Sequence, residues 1–240
     1  MIEQVGPKTL FQWPAAARVD RIISKERLYS EGGVTTAVRQ RFVDQVQRVR
    51  WAYKLGEESV RLKGTANVSE IQVFEIELKD ATLDDTVLAT IDRSIPSPIV
   101  FELSRDDGDC VEQAMSAADV QAPTGKPKAK SYFRSGWIRE TDERAPLPQA
   151  LDIEGLYAQL LGALLPHPLR RGEKLSDGIA RMEHIRKLER EIGRLEKKVR
   201  REPQFNRKVE LRRDLRALQT ELGTTTTTDE TTTEDATWRS

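Results

Sequence analysis

The sequence is poor in the residues that build the commonest catalytic centres. Cys110 is the only cysteine, which excludes an internal disulfide and a zinc site made of several thiolates. His167 and His184 are the only histidines, and they fall in different predicted elements. A Ser–His–Asp or Cys–His triad therefore has no local basis. The segment PTGKPKAK has a single glycine before its lysine, so a phosphate-binding P-loop is absent as well.

Long apolar runs are also missing. The longest one, residues 156–165, is interrupted by alanine, glutamine and glycine, whereas a membrane helix needs about 20 apolar residues. The N-terminal residues lack the basic start and the continuous apolar segment of a secretion signal. We therefore expect a cytoplasmic protein with no membrane partner.

An excess of charge of either sign is absent from the chain as a whole, with 39 basic and 39 acidic residues. Such a protein has no global field that would draw it onto nucleic acid. The distribution is uneven, however, because residues 181–221 hold fourteen Lys or Arg against eight Asp or Glu. The basic part of the protein is thus this C-terminal segment.

Most of the chain has the pattern of an α/β (α+β) domain, which we place at residues 1–168. Residues 36–48 have the apolar spacing of a helix. Alternating residues follow at 49–55, and residues 71–79 (IQVFEIELK) are rich in strand formers. A helix capped near Thr82, with Asp84 and Asp85 in its first turn, then leads to the short strand IVFEL. These elements predict a mixed sheet with packed helices.

The C-terminal part predicts an antiparallel helical hairpin at residues 178–222. Leucine, isoleucine and valine recur there at spacings of three and four in two segments, as in a coiled coil. Pro203 separates the segments because proline interrupts a helix. The apolar faces of the two helical segments could pair within one chain or between two chains, so the oligomeric state stays open. Residues 223–240 are rich in threonine and predict a disordered tail.

One triplet in the strand at 71–79 matches part of a known catalytic motif. Glu77 and Lys79 stand two apart, as do the acidic residue and lysine of PD-(D/E)xK nucleases, in which Mg²⁺ or Mn²⁺ activates water. Glu75 would extend the acidic face. The preceding strand supplies no aspartate for the metal, and the solvated or ion-paired face of an amphipathic strand is the favoured explanation of the triplet. A metal-dependent nuclease is therefore an alternative hypothesis, and otherwise we expect no metal or cofactor.

The basic hairpin allows three interpretations. It could dock on a partner protein, it could be a structural appendage with solvated flanks, or its cations could contact nucleic-acid phosphates. The last interpretation gives these candidate residues: Arg194, Lys197, Lys198, Arg200, Arg201, Arg207 and Lys208.

Several short sequence segments occur together in the order in which they occur in a known bacterial family. They are KTLF at 8–11, WAYKL at 51–55, EIQVFEIELK at 70–79, IPSPIVF at 95–101, GWI at 136–138 and PQFNRKVEL at 203–211. The chain resembles, over about residues 8–222, the family catalogued as domain of unknown function 4391.

The resemblance implies a setting but no chemistry, because the family has no established activity. Its members are often encoded beside helicases and DNA methyltransferases in restriction-like antiphage defence clusters. We therefore expect a non-catalytic accessory or scaffold subunit of such a DNA-processing system. Its hairpin would dock a protein partner, a helicase or a DNA methyltransferase, and DNA is a possible further partner.

Overall fold

A computed structural model describes residues 10–80, 82–121 and 128–227. The side chains of residues 31–32 and 120–130 are outside the description as well. The chain divides into two units, one up to Pro166 and one from His167. Each unit is described by itself below. No helix among the described residues is both long enough and apolar enough to cross a membrane.

The first unit is built on a seven-stranded mixed sheet. Its order is β1-β2-β3-β4-β5-β6, with β7 paired to β5. The β3–β4 pair is parallel and the other pairs are antiparallel. The strands are β1 (Arg18–Ile22), β2 (Val46–Leu55), β3 (Ile71–Leu78), β4 (Ile99–Asp106), β5 (Val111–Gln121), β6 (Lys128–Arg134) and β7 (Ile138–Arg139).

Five helices accompany this sheet, and several begin at a residue whose side chain accepts a backbone N–H. Thr35 accepts from Val38 at the start of α2, and Asp152 accepts from Gly155 at the start of α5. The helices are α1 (Lys25–Gly32), α2 (Thr36–Gln45), α3 (Glu57–Val60), α4 (Asp85–Ser94) and α5 (Ile153–Gly162). A 3-10 turn at Ala15–Ala17 precedes β1.

Strand alternation gives β3 a helix-covered apolar face and an opposite face that is buried and apolar in its first half and charged in its second half. Phe74, Ile76 and Leu78 of β3 belong to a buried apolar cluster that includes residues of α1, α2 and α4. Glu75 and Glu77 alternate with them and are only partly buried. This is the arrangement that a two-residue period predicts. The charged face of β3 is therefore where the predicted catalytic residues lie.

The second unit consists of two long helices, α6 (Leu175–Arg201) and α7 (Phe205–Thr226). They pack on each other within one chain, and His184 Nε2 on α6 lies 3.0 Å from Glu221 Oε1 on α7. The half of α6 nearer Leu175 buries Ile179, Met182 and Ile185. The predicted α/β class with a C-terminal helical hairpin is thus confirmed.

Several predicted boundaries were wrong. Residues 46–48 belong to β2 rather than to the preceding helix. Helix α4 begins at Asp85, not near Thr82, because Asp84 caps it while the Asp84 N–H donates to the Gln45 side chain at 2.9 Å. Strand β1 was not predicted. The predicted tail begins too early, since α7 continues to Thr226, and residues 228–240 lie outside the described residues.

Candidate functional site

The acidic residues of β3 face arginines across the antiparallel pair with β2. In the register, Glu77 lies opposite Arg48 and Glu75 opposite Arg50. Arg48 Nη2 lies 2.9 Å from Glu77 Oε2, and Arg50 Nε lies 3.6 Å from Glu75 Oε2. Opposite charges placed directly across two strands stabilise their pairing. Both candidate carboxylates therefore have a structural partner.

Glu75 has a second neighbour that the sequence pattern did not single out. It lies opposite Glu102 in the parallel β3–β4 pair. Burial and the charge of Glu102 raise the pKa of Glu75, whereas Arg50 and Arg144 oppose that shift. Burial of Tyr53 itself, together with the nearby charges of Glu75 and Glu102, raises the pKa of its hydroxyl group.

Glu102 is itself enclosed, with 5% of its side chain exposed. The Trp13 indole N–H donates to its Oε1 at 2.7 Å, and the Arg144 guanidinium donates to the same oxygen at 2.7 Å. Arg144 also donates to the side chain of Gln113 at 2.6 Å. The carboxylate is therefore neutralised by the protein.

Lys79 does not complete a dyad with Glu77. Its Nζ donates to the backbone carbonyl of Val43 at 2.8 Å, at the end of α2. Across the described ranges, no group of three His, Cys, Asp or Glu side chains comes together in a way that could hold a metal ion. The nuclease hypothesis for Glu75, Glu77 and Lys79 stays a prediction.

The hairpin places all seven nucleic-acid candidates at one end. They occupy the last eight residues of α6 and the first four of α7, on either side of the turn at 202–204. At 1.5 Å per residue, every one of them lies within about 12 Å of that turn along the helix axes. We call residues 194–213, which surround the turn, the basic tip.

The whole charge surplus of the hairpin belongs to the basic tip. Residues 194–213 hold nine Lys or Arg and three Asp or Glu, a surplus of six. The rest of the span from 181 to 221 holds five of each sign. The cations are spaced within roughly one Debye length of their neighbours, about 8–10 Å at physiological salt. Their fields therefore add at the tip.

Ion pairs follow the opposite distribution. Among the described residues of the basic tip, the structure gives one ion pair, between Arg207 Nε and Glu202 Oε2 at 3.5 Å. At the other end, Arg181 donates to Glu173 at 2.8 Å, and these hydrogen bonds lower the pKa of Glu173 to about 2. Arg170 donates to the carbonyls of Thr225 and Thr227 at the end of α7. One end of the hairpin is closed by internal pairing, and the other presents its cations to solvent.

The tip also exposes apolar side chains. Phe205 is 75% exposed and Val209 is 48% exposed, one helical turn apart on α7. Sequence reasoning missed Phe205, and it left Arg212 and Arg213 out of the candidate set although they belong to the tip. The available indication was the local charge density around Pro203. It missed Glu102 too, which stands as a lone carboxylate inside the apolar strand IVFEL.

Comparison with known proteins gives a family but no activity. A family model described as Domain of unknown function (DUF4391) matches residues 11–222. No curated protein and no solved structure matches the chain.

Proposed function

The chain belongs to the family described as Domain of unknown function (DUF4391), and from that premise we propose that it is a non-catalytic, nucleic-acid-binding accessory subunit of a bacterial DNA-processing or antiphage defence system. It acts in the cytoplasm and holds DNA with the basic tip of its hairpin. The first unit, built around the mixed sheet, is the folded body that carries this hairpin.

The observation that carries the proposal is the segregation of charge along the hairpin. A coiled coil that needed its charges for solubility alone would have no reason to place the full surplus of six at one end. Cations that lack acidic partners can neutralise phosphates and release counterions, which is the main source of non-specific DNA affinity. The tip has the charge composition for that role.

The exposed Phe205 supports nucleic acid over an acidic protein surface. An aromatic ring among arginines and lysines can stack on an unpaired base, and every base offers such a face. Phe205 stands at the first residue of α7, next to the turn, where a strand could approach it from outside. The genomic neighbourhood that the family resemblance implies, beside helicases and DNA methyltransferases, also supports DNA.

Two further observations support an accessory role. Glu75 and Glu77 are engaged with arginines of β2, and Glu102 with Arg144, as structural charges are. A subunit of this kind would deliver or retain DNA for a helicase or a methyltransferase that performs the chemistry. That protein partner was the leading expectation from the sequence, and the proposal keeps it as the enzyme of the assembly.

The test compares two triple variants with equal loss of charge. The tip variant carries Arg194→Gln, Lys197→Gln and Arg201→Gln, and the control carries Lys187→Gln, Arg190→Gln and Arg216→Gln. All six side chains are exposed. Binding of a fluorescent duplex and a single strand is measured by anisotropy at several salt concentrations.

We expect the tip variant to bind DNA at least about 10-fold more weakly, with a slope of log affinity against log salt smaller by about 3. The control should lose less than about twofold, because its cations have acidic neighbours. Equal losses in both variants would assign binding to net charge alone. No measurable binding by the wild-type protein at low salt would leave docking on a partner protein as the better hypothesis.

A further inference from the structure

A cavity of about 280 Å³ lies on the helix-covered side of the sheet in the first unit. Residues from β1, α1, β2, β3 and the α4–β4 connection line it, among them Arg21, Arg27, Trp51, Gln72, Phe74 and Ser97. The volume is just below the roughly 300–1,000 Å³ typical of small-molecule sites. It has room for a planar ring system, and the rest of a longer ligand would extend to the mouth of the cavity.

The polar wall of the cavity is a carboxamide held in one orientation. Gln72 is 4% exposed, and the Trp51 indole N–H donates to its Oε1 at 2.8 Å. Its Nε2 donates to Glu70 Oε1 at 2.7 Å. A carboxamide has two N–H groups and two acceptor positions. Among the described residues, these two contacts use one N–H group and one acceptor position of Gln72. One donor and one acceptor position of the carboxamide therefore remain for another molecule.

The other lining residues include aromatic rings, two arginines and the Glu70 carboxylate, whose charge is paired with Lys54 Nζ at 2.7 Å. The rings of Trp51 and Phe74 are within 10° of parallel, with centroids 6.5 Å apart. Arg21 pairs with Trp51 across the β1–β2 ladder and is exposed. The described part of the chain gives it no ion pair. An apolar ring surface thus adjoins a guanidinium that is available to an anion.

A β-bulge brings Arg21 to this position. The register shifts by one residue between Arg18, opposite Tyr53, and Arg21, opposite Trp51, and Asp20 adopts φ +56° between them. Aspartate tolerates this left-handed conformation better than most residues, and bulges commonly redirect a side chain. Asp20 is held by ion pairs to Arg18 and Arg50, each at 3.0 Å. The bulge is therefore a fixed feature of the strand.

We propose that this cavity binds a nucleoside 5′-monophosphate. The base lies against Trp51 and exchanges two hydrogen bonds with the Gln72 carboxamide, as glutamine does with base edges elsewhere. The phosphate pairs with Arg21 at the mouth, where Arg27 adds positive charge. The same chemistry is presented by a free nucleotide and by an unstacked nucleotide of a single strand. This site is independent of the basic tip.

The test titrates the full chain with adenosine and with the monophosphates of adenosine, guanosine, cytidine and uridine. Tryptophan fluorescence reports binding, and Trp51→Phe shows whether Trp51 is the reporter. We expect at least one monophosphate to bind with Kd on the order of 100 μM. Adenosine should bind about 10-fold more weakly than its monophosphate.

Arg21→Ala is the decisive variant, and Arg139→Ala, an exposed arginine of β7 outside the cavity lining, is its matched control. Arg21→Ala should reduce monophosphate affinity to that of the nucleoside, and Arg139→Ala should leave it unchanged. Gln72→Met should weaken nucleoside and nucleotide alike, with circular dichroism confirming its fold. Equal binding of adenosine and its monophosphate to wild type, equal effects of the two arginine variants, or no binding at about 5 mM would overturn the proposal.

A final arm separates the two sources of the ligand. A short single-stranded oligonucleotide is added to the chain already loaded with monophosphate, with the tip variant as the protein so that the basic tip contributes little. Displacement by the oligonucleotide identifies an unstacked strand nucleotide, and its absence identifies a free nucleotide. Each outcome retains the site and assigns its ligand.

Discussion

The charges of strand β3 and those of the hairpin tip are arranged in opposite ways. Glu75 and Glu77 each pair with an arginine of the neighbouring strand. The described residues of the tip, with its surplus of six cations, contain one ion pair. Both regions are rich in charged residues, and only the tip leaves its charge for another molecule.

This difference separates structural charges from charges available for binding. A charge that folding removes from water must be paired, because an unpaired buried ion costs several kcal/mol. A long helix that projects cations into solvent has no such constraint, and its cations cost little when unpaired. The cations of the tip can therefore bind an external anion, whereas the arginines of the sheet are already paired with carboxylates of the protein.

The largest expected effect comes from breaking the most enclosed pair of the sheet. Arg144→Met leaves Glu102 buried with the Trp13 indole as its remaining strong donor, so we expect the free energy of unfolding to fall by ~4 kcal/mol. Urea unfolding followed by tryptophan fluorescence measures it. Arg139→Met, at an exposed position of β7, is the control with a change below about 0.5 kcal/mol. A loss no larger than that of the control would contradict the paired-sheet interpretation. DNA affinity should be unaffected.

Asp92 shows a third arrangement, in which a buried carboxyl group stays protonated and so carries no charge. It is 3% exposed beside the Tyr132 hydroxyl, which donates to it, and burial raises its pKa to about 7. The folded state keeps the proton between pH 4 and 7 while the unfolded state loses it, so this contribution to stability falls as pH rises. Relative to wild type, Asp92→Asn should gain on the order of 3 kcal/mol between pH 4 and 7. If the difference in urea midpoint between wild type and Asp92→Asn did not change with pH, the pKa of Asp92 would have its ordinary value.

A smaller effect is expected from the double variant Glu77→Ala and Lys79→Ala. The Arg48–Glu77 pair is half exposed, so its loss should cost about 1 kcal/mol or less. DNA binding should persist. The decisive measurement is cleavage of plasmid DNA with Mg²⁺ or Mn²⁺. Cleavage by wild type that the double variant abolishes would make β3 a catalytic strand and overturn the non-catalytic proposal.

The smallest effect on stability is expected at the tip itself. Arg194→Gln with Lys197→Gln should change the free energy of unfolding by less than about 0.5 kcal/mol, because neither side chain has an ion-pair partner in the described part of the chain. The same pair should lower the salt slope of DNA binding by about 2. Circular dichroism melting and anisotropy measure the two quantities on one sample. A marked loss of helix stability would mean that the tip cations are structural.

Local patterns predicted most elements of the fold. The alternation in IQVFEIELK and the three-to-four spacing around Pro203 were enough to predict β3, α6 and α7. Strand β1 was missed because its residues are mostly exposed and bulged, so they lack a clean two-residue period. The start of α4 was missed because Gln45, which is 39 residues before Asp84, holds the preceding segment outside the helix.

By itself the sequence determined most of the secondary structure, the hairpin and the excess of basic residues near its turn, since each depends on neighbours within a few positions. Only the tertiary structure decided which charges are paired and where the cavity lies. Arg48 reaches Glu77, and Arg144 reaches Glu102, through strand register and chain return, over 29 and 42 residues respectively. Electrostatic interactions decay over ångströms in space and not over positions in a chain, so a charge pattern acquires its meaning only after folding.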